Sequence, residues 1–276
     1  TRKTEMKKIV LWVIAFLITA SSAFFQRRTG PSYPVSGKVE VNGSQVSYDL
    51  DRSHESTSDY ELKVDVENPE VTGMISFRRH KTSEPWTSVP LVRKEGQLIG
   101  SLPEQPPAGK LAYKVVLTSR EKEFSLTGER AVVIRFRGHV PLPLIISHAF
   151  VMFLAMLFST RAGIEALDPK GKTQRLALWT LALLVFGGII LGGLVQKLSF
   201  GQFWTGVPFG YDLTDNKTLI AIIGWIAAVV AGRRGRPGRW WVLGASVLLL
   251  VVYFIPHSLF GSELDFSGAG TLSSPE

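Results

Sequence analysis

Five long apolar runs constrain the fold of this chain more than any other feature of its sequence. They are residues 9–25, 140–159, 176–195, 219–232 with a lengthening from Leu213 onward, and 240–256. A helix of about 20 predominantly apolar residues matches the hydrocarbon thickness of a bilayer. The sequence therefore predicts five transmembrane helices, with a long polar insertion between the first helix and the second.

Basic residues beside the apolar runs predict how these helices are oriented. They precede the first run and fill two of the later loops: Arg2, Lys3, Lys7, Lys8; Arg161, Lys170, Lys172, Arg175; and Arg233, Arg234, Arg236, Arg239. Short loops rich in lysine and arginine are retained in the cytoplasm during insertion. We therefore expect the N terminus and both loops inside, and the insertion and the tail 257–276 outside. Residues 1–25 are interpreted as an uncleaved signal anchor in a bacterial inner membrane.

Short runs of alternating polarity fill the insertion, residues 26–140. They are residues 38–41, 45–50, 60–66, 73–78, 97–102, 110–117 and 131–136. Such runs, separated by turn-forming residues, are typical of a β-sandwich. Asn42-Gly43 predicts a two-residue hairpin, because both central positions of a type I′ turn need positive φ. The predicted fold class is an α+β multidomain membrane protein, in which an extracytoplasmic β-sandwich precedes a four-helix transmembrane bundle at 141–256.

Two motifs of the insertion resemble a known family. Pro85-Trp86 and the later segment GKLAYKV at 109–115 are similar to the early tryptophan and the tyrosine-containing strand of fibronectin type III domains. The resemblance covers only residues 36–140. It implies an immunoglobulin-like sandwich with a core tryptophan, and a role in interaction rather than in a reaction.

Composition and motifs exclude several classes of protein. The chain has no cysteine, which excludes disulfides, thiolate metal sites, iron–sulfur clusters and covalently attached c-type haem. The net charge is +8, but eight of the 31 basic residues lie in the two loops, so no nucleic-acid partner is expected. His54 and His80 are predicted surface residues, and no metal site is predicted. No nucleophile elbow, zinc-protease motif or hydrolytic triad is evident, so no intrinsic catalytic activity is expected.

One histidine lies within the second apolar run. His148 lies about 10 Å below the predicted outer end of its helix, where an ionisable side chain is costly and usually faces protein. It predicts either an interhelical hydrogen bond or a cofactor ligand. Gly188 and Gly192, four residues apart in the third run, allow close helix packing or room for a porphyrin ring. If His257, after the last run, reached the opposite face, the two histidines would ligate haem b.

The segment 197–217, KLSFGQFWTGVPFGYDLTDNK, lies between the third and fourth apolar runs. It is too polar and too rich in glycine to cross a bilayer as a helix, yet it carries five aromatic residues. We predict an ordered cap at the outer surface, with Thr214 or Asp215 as the N-cap of the next helix. Five polar or aromatic residues are expected to converge there with the two histidines: Gln196, Trp204, Asp212, Asp215 and Glu263.

Three functions stay open from the sequence. The favoured one is a non-catalytic membrane subunit or scaffold, whose partners are the lipid bilayer and other subunits of a respiratory or photosynthetic membrane complex. The alternative is an electron-transfer subunit that binds haem b or a metal through His148 and His257. A transporter is the third, although the runs lack acidic residues and show no inverted repeat.

Overall fold

A computed structural model describes residues 2–233, 238–256, 263–264 and 272–273 of the chain. Its described residues divide into two compact units. One unit combines Thr1–Pro31 with Val140–Gly261, and the other combines Ser32–His139 with Ser262–Ser273. The first unit is helical and the second is built of β-sheets. The fold is therefore α+β, with the sheets inserted between the first and second helices as predicted.

The described part of the first unit contains six helices and one π-helical turn. Their bounds are α1 Arg2–Thr29, α2 Leu142–Ala166, α3 Gln174–Leu184, the π-helical turn Val185–Leu191, α4 Gly192–Phe200, α5 Leu213–Gly232 and α6 Gly238–Phe254. The segment from α3 to α4 is one helical rod of 27 residues. Within the described residues, four segments are long and apolar enough to cross a membrane: Glu5–Thr29, Leu142–Ala166, Gln174–Phe200 and Leu213–Gly232. The apolar helix α6 is shorter, with 17 residues.

Small side chains let the helices of this unit approach closely. Gly163 of α2 lies against Ser246 of α6, and the Ser246 hydroxyl donates to the Ser159 carbonyl at 2.9 Å. The core around them consists mainly of alanines and aliphatic residues on α2, α3, α5 and α6, with Trp225 fully buried. Packing through small residues and interhelical hydrogen bonds is the usual basis of helix association within a bilayer.

Eleven strands form the sheets of the second unit between residues 32 and 139, and the described residues of the tail add two short strands. The bounds are β1 Val35–Val41, β2 Ser44–Leu50, β3 Ser53–Glu55, β4 Tyr60–Asp65, β5 Thr72–Arg79, β6 Thr87–Pro90, β7 Val92–Lys94, β8 Gln97–Leu102, β9 Lys110–Ser119, β10 Lys122–Ser125, β11 Val132–Arg137, β12 Glu263–Leu264 and β13 Leu272–Ser273. The largest sheet has the order β3-β11-β9-β5-β6, with β10 paired to β9. A sheet β4-β8-β7 and the hairpin β1-β2 complete the sandwich-like arrangement.

Alternating burial along the strands builds the core of the second unit. In β9 the side chains of Leu111, Tyr113, Val115 and Leu117 are buried, because every second side chain of a strand points to the same face. All seven predicted strands are confirmed, with shifts of a few residues at their ends. The sequence did not predict β3, β6, β7 and β10, which have only three or four residues and therefore too little alternation to recognise.

The predicted hairpin at Asn42-Gly43 is confirmed. Val41 pairs with Ser44 across the turn, and φ is +50° at Asn42 and +83° at Gly43. Asparagine and glycine tolerate this left-handed region best, so the dipeptide sets the register of β1 against β2.

The prediction of a core tryptophan is wrong. Trp86 is 36% exposed, and its ring is contacted by Arg78 at 4.8 Å and Lys114 at 5.5 Å from the ring centroid. The large buried aromatic side chain is Tyr113, whose hydroxyl donates to the Asp51 carbonyl at 2.8 Å. Trp86 therefore lies on the outer face of the large sheet, where two cations stabilise it by cation–π contacts.

Candidate functional site

The cap is shorter than the sequence predicts. Helix α4 continues to Phe200 and α5 begins at Leu213, so both ends of the predicted segment 197–217 are helical. The loop between the two helices is 201–212 and is called the cap loop below. Gly201 ends α4 with φ +86°, a left-handed conformation that glycine adopts without strain.

A buried carboxylate fixes the cap loop. Oδ2 of Asp215 accepts hydrogen bonds from the backbone nitrogens of Thr205 at 2.6 Å and Gly206 at 3.1 Å. It also accepts from the Thr205 hydroxyl at 3.2 Å and from Nε2 of Gln196 at 2.9 Å. We call Gln196, Thr205, Gly206 and Asp215 the Asp215 cluster. It joins the end of α4, the middle of the loop and the start of α5.

The first turn of α5 adds two further connections. Asp212 is the N-cap, and its Oδ1 accepts from the backbone nitrogen of Thr214 at 2.7 Å. The prediction of Thr214 or Asp215 as the N-cap is therefore wrong, because the helix begins two residues earlier than expected. Nζ of buried Lys217 donates to the Ile255 carbonyl at 2.7 Å, which links α5 to the chain just after α6.

The cap loop holds aromatic side chains at the surface. Phe209 is 82% exposed and Tyr211 is 78% exposed, whereas Thr205 and Asp212 of the same loop are buried. The half-buried Trp204 donates its indole N–H to the Val207 carbonyl at 3.1 Å. The polar groups on the inner side of the loop are therefore buried and hydrogen-bonded, whereas the aromatic side chains on its outer side are exposed.

His148 makes the interhelical hydrogen bond that was one of its two predicted roles. Its Nδ1 lies 3.0 Å from the Gly187 carbonyl, which also accepts from the backbone N–H of Gly192 across the π-helical turn. A methyl group at Gly192 would lie 3.3 Å from Cε1 of His148. A methyl group at Gly188 would lie 2.7 Å from Cγ2 of Thr218. Both glycines therefore allow close packing, Gly192 against α2 and Gly188 against α5.

The described residues of the predicted outer site fall into two groups. The first group lies in the cap loop or in the helices beside it and consists of Gln196, Trp204, Asp212 and Asp215. The second is His148 alone, which contacts the Gly187 carbonyl. His257 lies outside the described residues, so the predicted haem ligand pair stays a prediction.

Glu263 belongs to the short strand β12, which is part of the second unit. No group of three histidine, aspartate or glutamate side chains in the described ranges is placed to hold a metal ion.

A buried cation on α2 was missed because its helix ends later than expected. The hydropathy pattern predicts a loop at Arg161, but α2 continues to Ala166 and Arg161 is only 5% exposed. Its Nη2 lies 2.7 Å from Oε2 of Glu165, and its guanidinium lies 5.7 Å from the ring centroid of Trp12. The spacing of Arg161 and Glu165, four residues apart, is the signal that could have predicted a helical ion pair.

Comparison with protein-family models, with curated proteins and with solved structures gives no match for this chain.

Proposed function

We propose that this chain is a non-catalytic integral membrane subunit that holds a partner membrane protein through its cap loop. The observation that carries the proposal is the fixed shape of the loop beneath exposed aromatic side chains. Asp215 accepts four hydrogen bonds within its cluster, while Phe209 and Tyr211 are more than three-quarters exposed. A surface that is already ordered loses little conformational freedom when a partner binds.

The chemistry of the loop favours a protein partner. Aromatic side chains dominate the energetics of protein interfaces because they bury a large area with few rotatable bonds. Phe203 adds a third exposed ring, contacted by Nζ of Lys197 at 5.6 Å from its centroid. The exposed residues therefore form an aromatic surface with a cation at one side.

The proposal includes an orientation for the whole chain. It has five membrane crossings, with α6 as the fifth, an N terminus in the cytoplasm of a bacterial cell, and the sandwich and the cap loop outside. Support comes from the lysines and arginines of the two loops and from the apolar length of four helices. The sandwich is proposed to be immunoglobulin-like and to add a second interaction surface.

Photo-cross-linking in intact membranes tests the proposed docking surface. A benzophenone amino acid replaces Phe209, and a matched control carries it at Ile223, which is 56% exposed on α5. We expect a discrete protein adduct from position 209 and none of that mass from position 223. Lipid adducts alone at both positions would overturn the proposal.

A second variant connects the adduct to the shape of the loop. Adding Asp215→Ala to the Phe209 probe removes the acceptor of the cluster but leaves the aromatic residues in place. We expect a weaker protein adduct because the loop is no longer held before binding. An unchanged adduct would show that the fixed shape of the loop is not what the partner recognises.

A further inference from the structure

A cavity of about 470 Å³ lies between β2 and the end of β4 in the sandwich. Residues 44–47 of β2 line one side, and residues 65–68, which end β4 and follow it, line the other. Val41 and Val71 complete the lining. We call this cavity the β2–β4 groove. Ligand pockets in proteins have volumes of about 300–1,000 Å³, so the groove has the size of a binding site.

Strand β2 has a free edge at the groove. Its other edge pairs with β1, from Val35 opposite Leu50 to Val41 opposite Ser44. Val41 and Ser44 flank the two-residue turn and therefore form a hydrogen-bonded pair, and such pairs alternate along an antiparallel ladder. The backbone N–H and C=O groups of residues 45 and 47 thus point away from β1. Among the described residues, no strand pairs with this edge of β2.

Strand β4 has a matching free edge on the other side of the groove. In the described part of the chain β4 pairs with β8 alone, and the backbone nitrogen of Val66 continues that ladder by donating to the Gly96 carbonyl at 3.0 Å. Since hydrogen-bonded positions alternate, the backbone groups of Asp65 point away from β8. The groove therefore separates two strand edges whose backbone donors and acceptors are unpaired.

The other ends of the two strands are linked. The backbone N–H of Asp51, just after β2, donates to the hydroxyl of Tyr60, the first residue of β4, at 3.3 Å. This bond fixes the spacing of the strands at the end remote from Ser44. An unpaired strand edge is a template for another strand, and addition of an extended segment to such an edge is a recurring mode of protein recognition.

The lining of the groove combines an apolar floor with a negative rim. The floor consists of four buried valines of the sandwich core: Val41, Val46, Val66 and Val71. The charged residues of the lining are Asp65 and Glu67, both exposed. Successive side chains of a strand point to opposite faces, so a strand in the groove would direct every second side chain to the valines and the others toward the carboxylates. Alternating apolar and basic residues fit both sides.

We propose that the β2–β4 groove binds an extended segment of a partner protein in which basic and apolar residues alternate. The segment adds as a strand to the free edges, with its apolar side chains against the valine floor and its basic side chains beside Asp65 and Glu67. This inference specifies the second interaction surface of the sandwich and rests on that part of the proposed function. It does not depend on the cap loop.

Binding of a model peptide to the full chain in detergent tests the proposal. The probe is a fluorescent peptide of alternating lysine and valine, and its anisotropy measures binding. One control peptide has glutamate in place of lysine, and a second is methylated on alternate backbone nitrogens, which removes its strand pairing but keeps its charge. We expect only the unmethylated lysine peptide to bind. Equal binding of either control, or no binding up to about 1 mM, would overturn the proposal.

A charge-neutral variant of the groove tests the role of its rim. The double variant Asp65→Asn, Glu67→Gln should weaken binding of the lysine peptide about 2- to 30-fold, because each exposed ion pair contributes modestly. The matched control is Glu121→Gln, Glu123→Gln, which removes the same charge from exposed residues at β10 in the large sheet. Equal weakening by both double variants would show that net charge alone attracts the peptide, and the proposal would fail.

Hydrogen exchange of the full chain locates the bound peptide. The lysine peptide should slow exchange of residues 44–47 and 65–68, because it supplies acceptors for their free amides, and should leave residues 201–212 unchanged. Protection confined to other segments would overturn the proposal. Slow exchange at both edges without peptide, together with a dimer in sedimentation, would assign the groove to a second copy and overturn it as well.

The two proposed surfaces fail separately. Loss of the photo-adduct at position 209 with intact peptide binding would contradict only the cap-loop proposal. A retained adduct without peptide binding would contradict only the β2–β4 groove.

Discussion

Oδ2 of Asp215 lies 2.6 Å from the backbone nitrogen of Thr205, ten residues earlier in the chain. This bond closes the cap loop on itself, because Asp215 belongs to the first turn of α5 and Thr205 to the middle of the loop. A carboxylate acceptor makes such bonds stronger than a neutral acceptor would. The Asp215 side chain therefore helps to hold the loop that carries the exposed aromatic residues.

Replacing Asp215 by alanine is expected to loosen the cap loop. The buried backbone N–H groups of Thr205 and Gly206 would lose their acceptor, at about 1–3 kcal/mol for each unsatisfied group. For each N–H group left without an acceptor, the open form of the loop should then become roughly 5- to 150-fold more populated. Hydrogen exchange of the peptide 201–212, followed by mass spectrometry, measures this directly.

A matched control is Asn216→Ala, which removes only the bond from the Val207 nitrogen to Oδ1 of Asn216 at 2.7 Å. Its effect should be confined to the region of Val207. If Asp215→Ala and Asn216→Ala accelerate exchange equally across the loop, the central role of Asp215 is refuted.

The contact between Gly192 and His148 predicts a coupled pair of substitutions. Gly192→Ala places a methyl group 3.3 Å from Cε1 of His148, so the single variant should lower the stability of the helical unit. In a His148→Ala background the methyl group still lies 3.3 Å from the Gly187 carbonyl but no longer meets the imidazole, so the cost of Gly192→Ala should become smaller. Thermal unfolding in detergent of the four proteins of this double-mutant cycle gives the coupling. Additive effects would contradict a direct contact.

The same His148→Ala protein tests the haem alternative. If purified wild-type protein carries haem b, this substitution should remove or shift its absorption band while the sandwich stays folded. If His148 acts only in assembly, the spectrum is unaffected and retention of partner subunits falls. An unchanged spectrum, stability and subunit composition would leave His148 as a tolerated polar residue of the α2 interface.

The proposed topology predicts which positions react from outside the cell. The chain has no cysteine, so single-cysteine variants carry no background. Phe209→Cys and Glu276→Cys should react with an impermeant maleimide in intact cells, whereas Lys170→Cys should react only after the inner face is opened. If Glu276→Cys reacts only from the inside, α6 does not cross the membrane.

The sandwich is predicted to fold without the helices. Every core residue of this unit that the structure describes as buried lies between Val41 and Phe136. A fragment of residues 34–140 should therefore give a β-type circular dichroism spectrum and one cooperative urea transition. An aggregated or disordered fragment would show that the core needs the tail or the helical unit.

The same fragment should lose stability at high pH through Tyr60. Burial, with a smaller effect of nearby Asp51, raises the pKa of Tyr60 to about 12. An unfolded tyrosine has a pKa of about 10, so between these values only the unfolded state loses the proton. The stabilisation is present below pH 10 and is lost as the pH rises through 12, by about 2–3 kcal/mol.

Urea unfolding of the wild-type fragment and of a Tyr60→Phe fragment between pH 8 and about 12 measures this contribution. Phenylalanine cannot ionise, so the variant should lose less stability over this range. Burial also raises the pKa of Tyr113. Both fragments contain Tyr113, so its effect on stability is the same in each and cancels in the comparison. Parallel pH curves for the two fragments would argue against a buried, protonated Tyr60.

Local signals predicted the regular elements well. The strand at residues 110–117 was predictable because the alternation of side chains along a strand is a local property. The turn at Asn42-Gly43 was predictable because positive φ depends mainly on the residue type at the turn. The apolar length of the four long helices was predicted on the same basis.

Features decided by distant residues were not predictable in this way. Asp212, Thr214 and Asp215 are all acceptable N-caps by type, and the choice depends on where the loop turns back to Thr205. Trp86 is placed on the outer face by Arg78 and Lys114, which come from other strands. The π-helical turn leaves no sequence signal beyond its paired glycines.

That turn has a geometric consequence for everything after it. Each residue of an α-helix rotates the chain by about 100°, and a π-helical turn accommodates one additional residue within a continuous helix. Deleting one residue between Val185 and Leu191 would turn α4 by about that angle relative to α3. Gln196 would then face away from Asp215, and Gly192 would leave His148. The rod from α3 to α4 thus contains a phase shift, so that one half is aligned with the bundle core and the other with the cap loop.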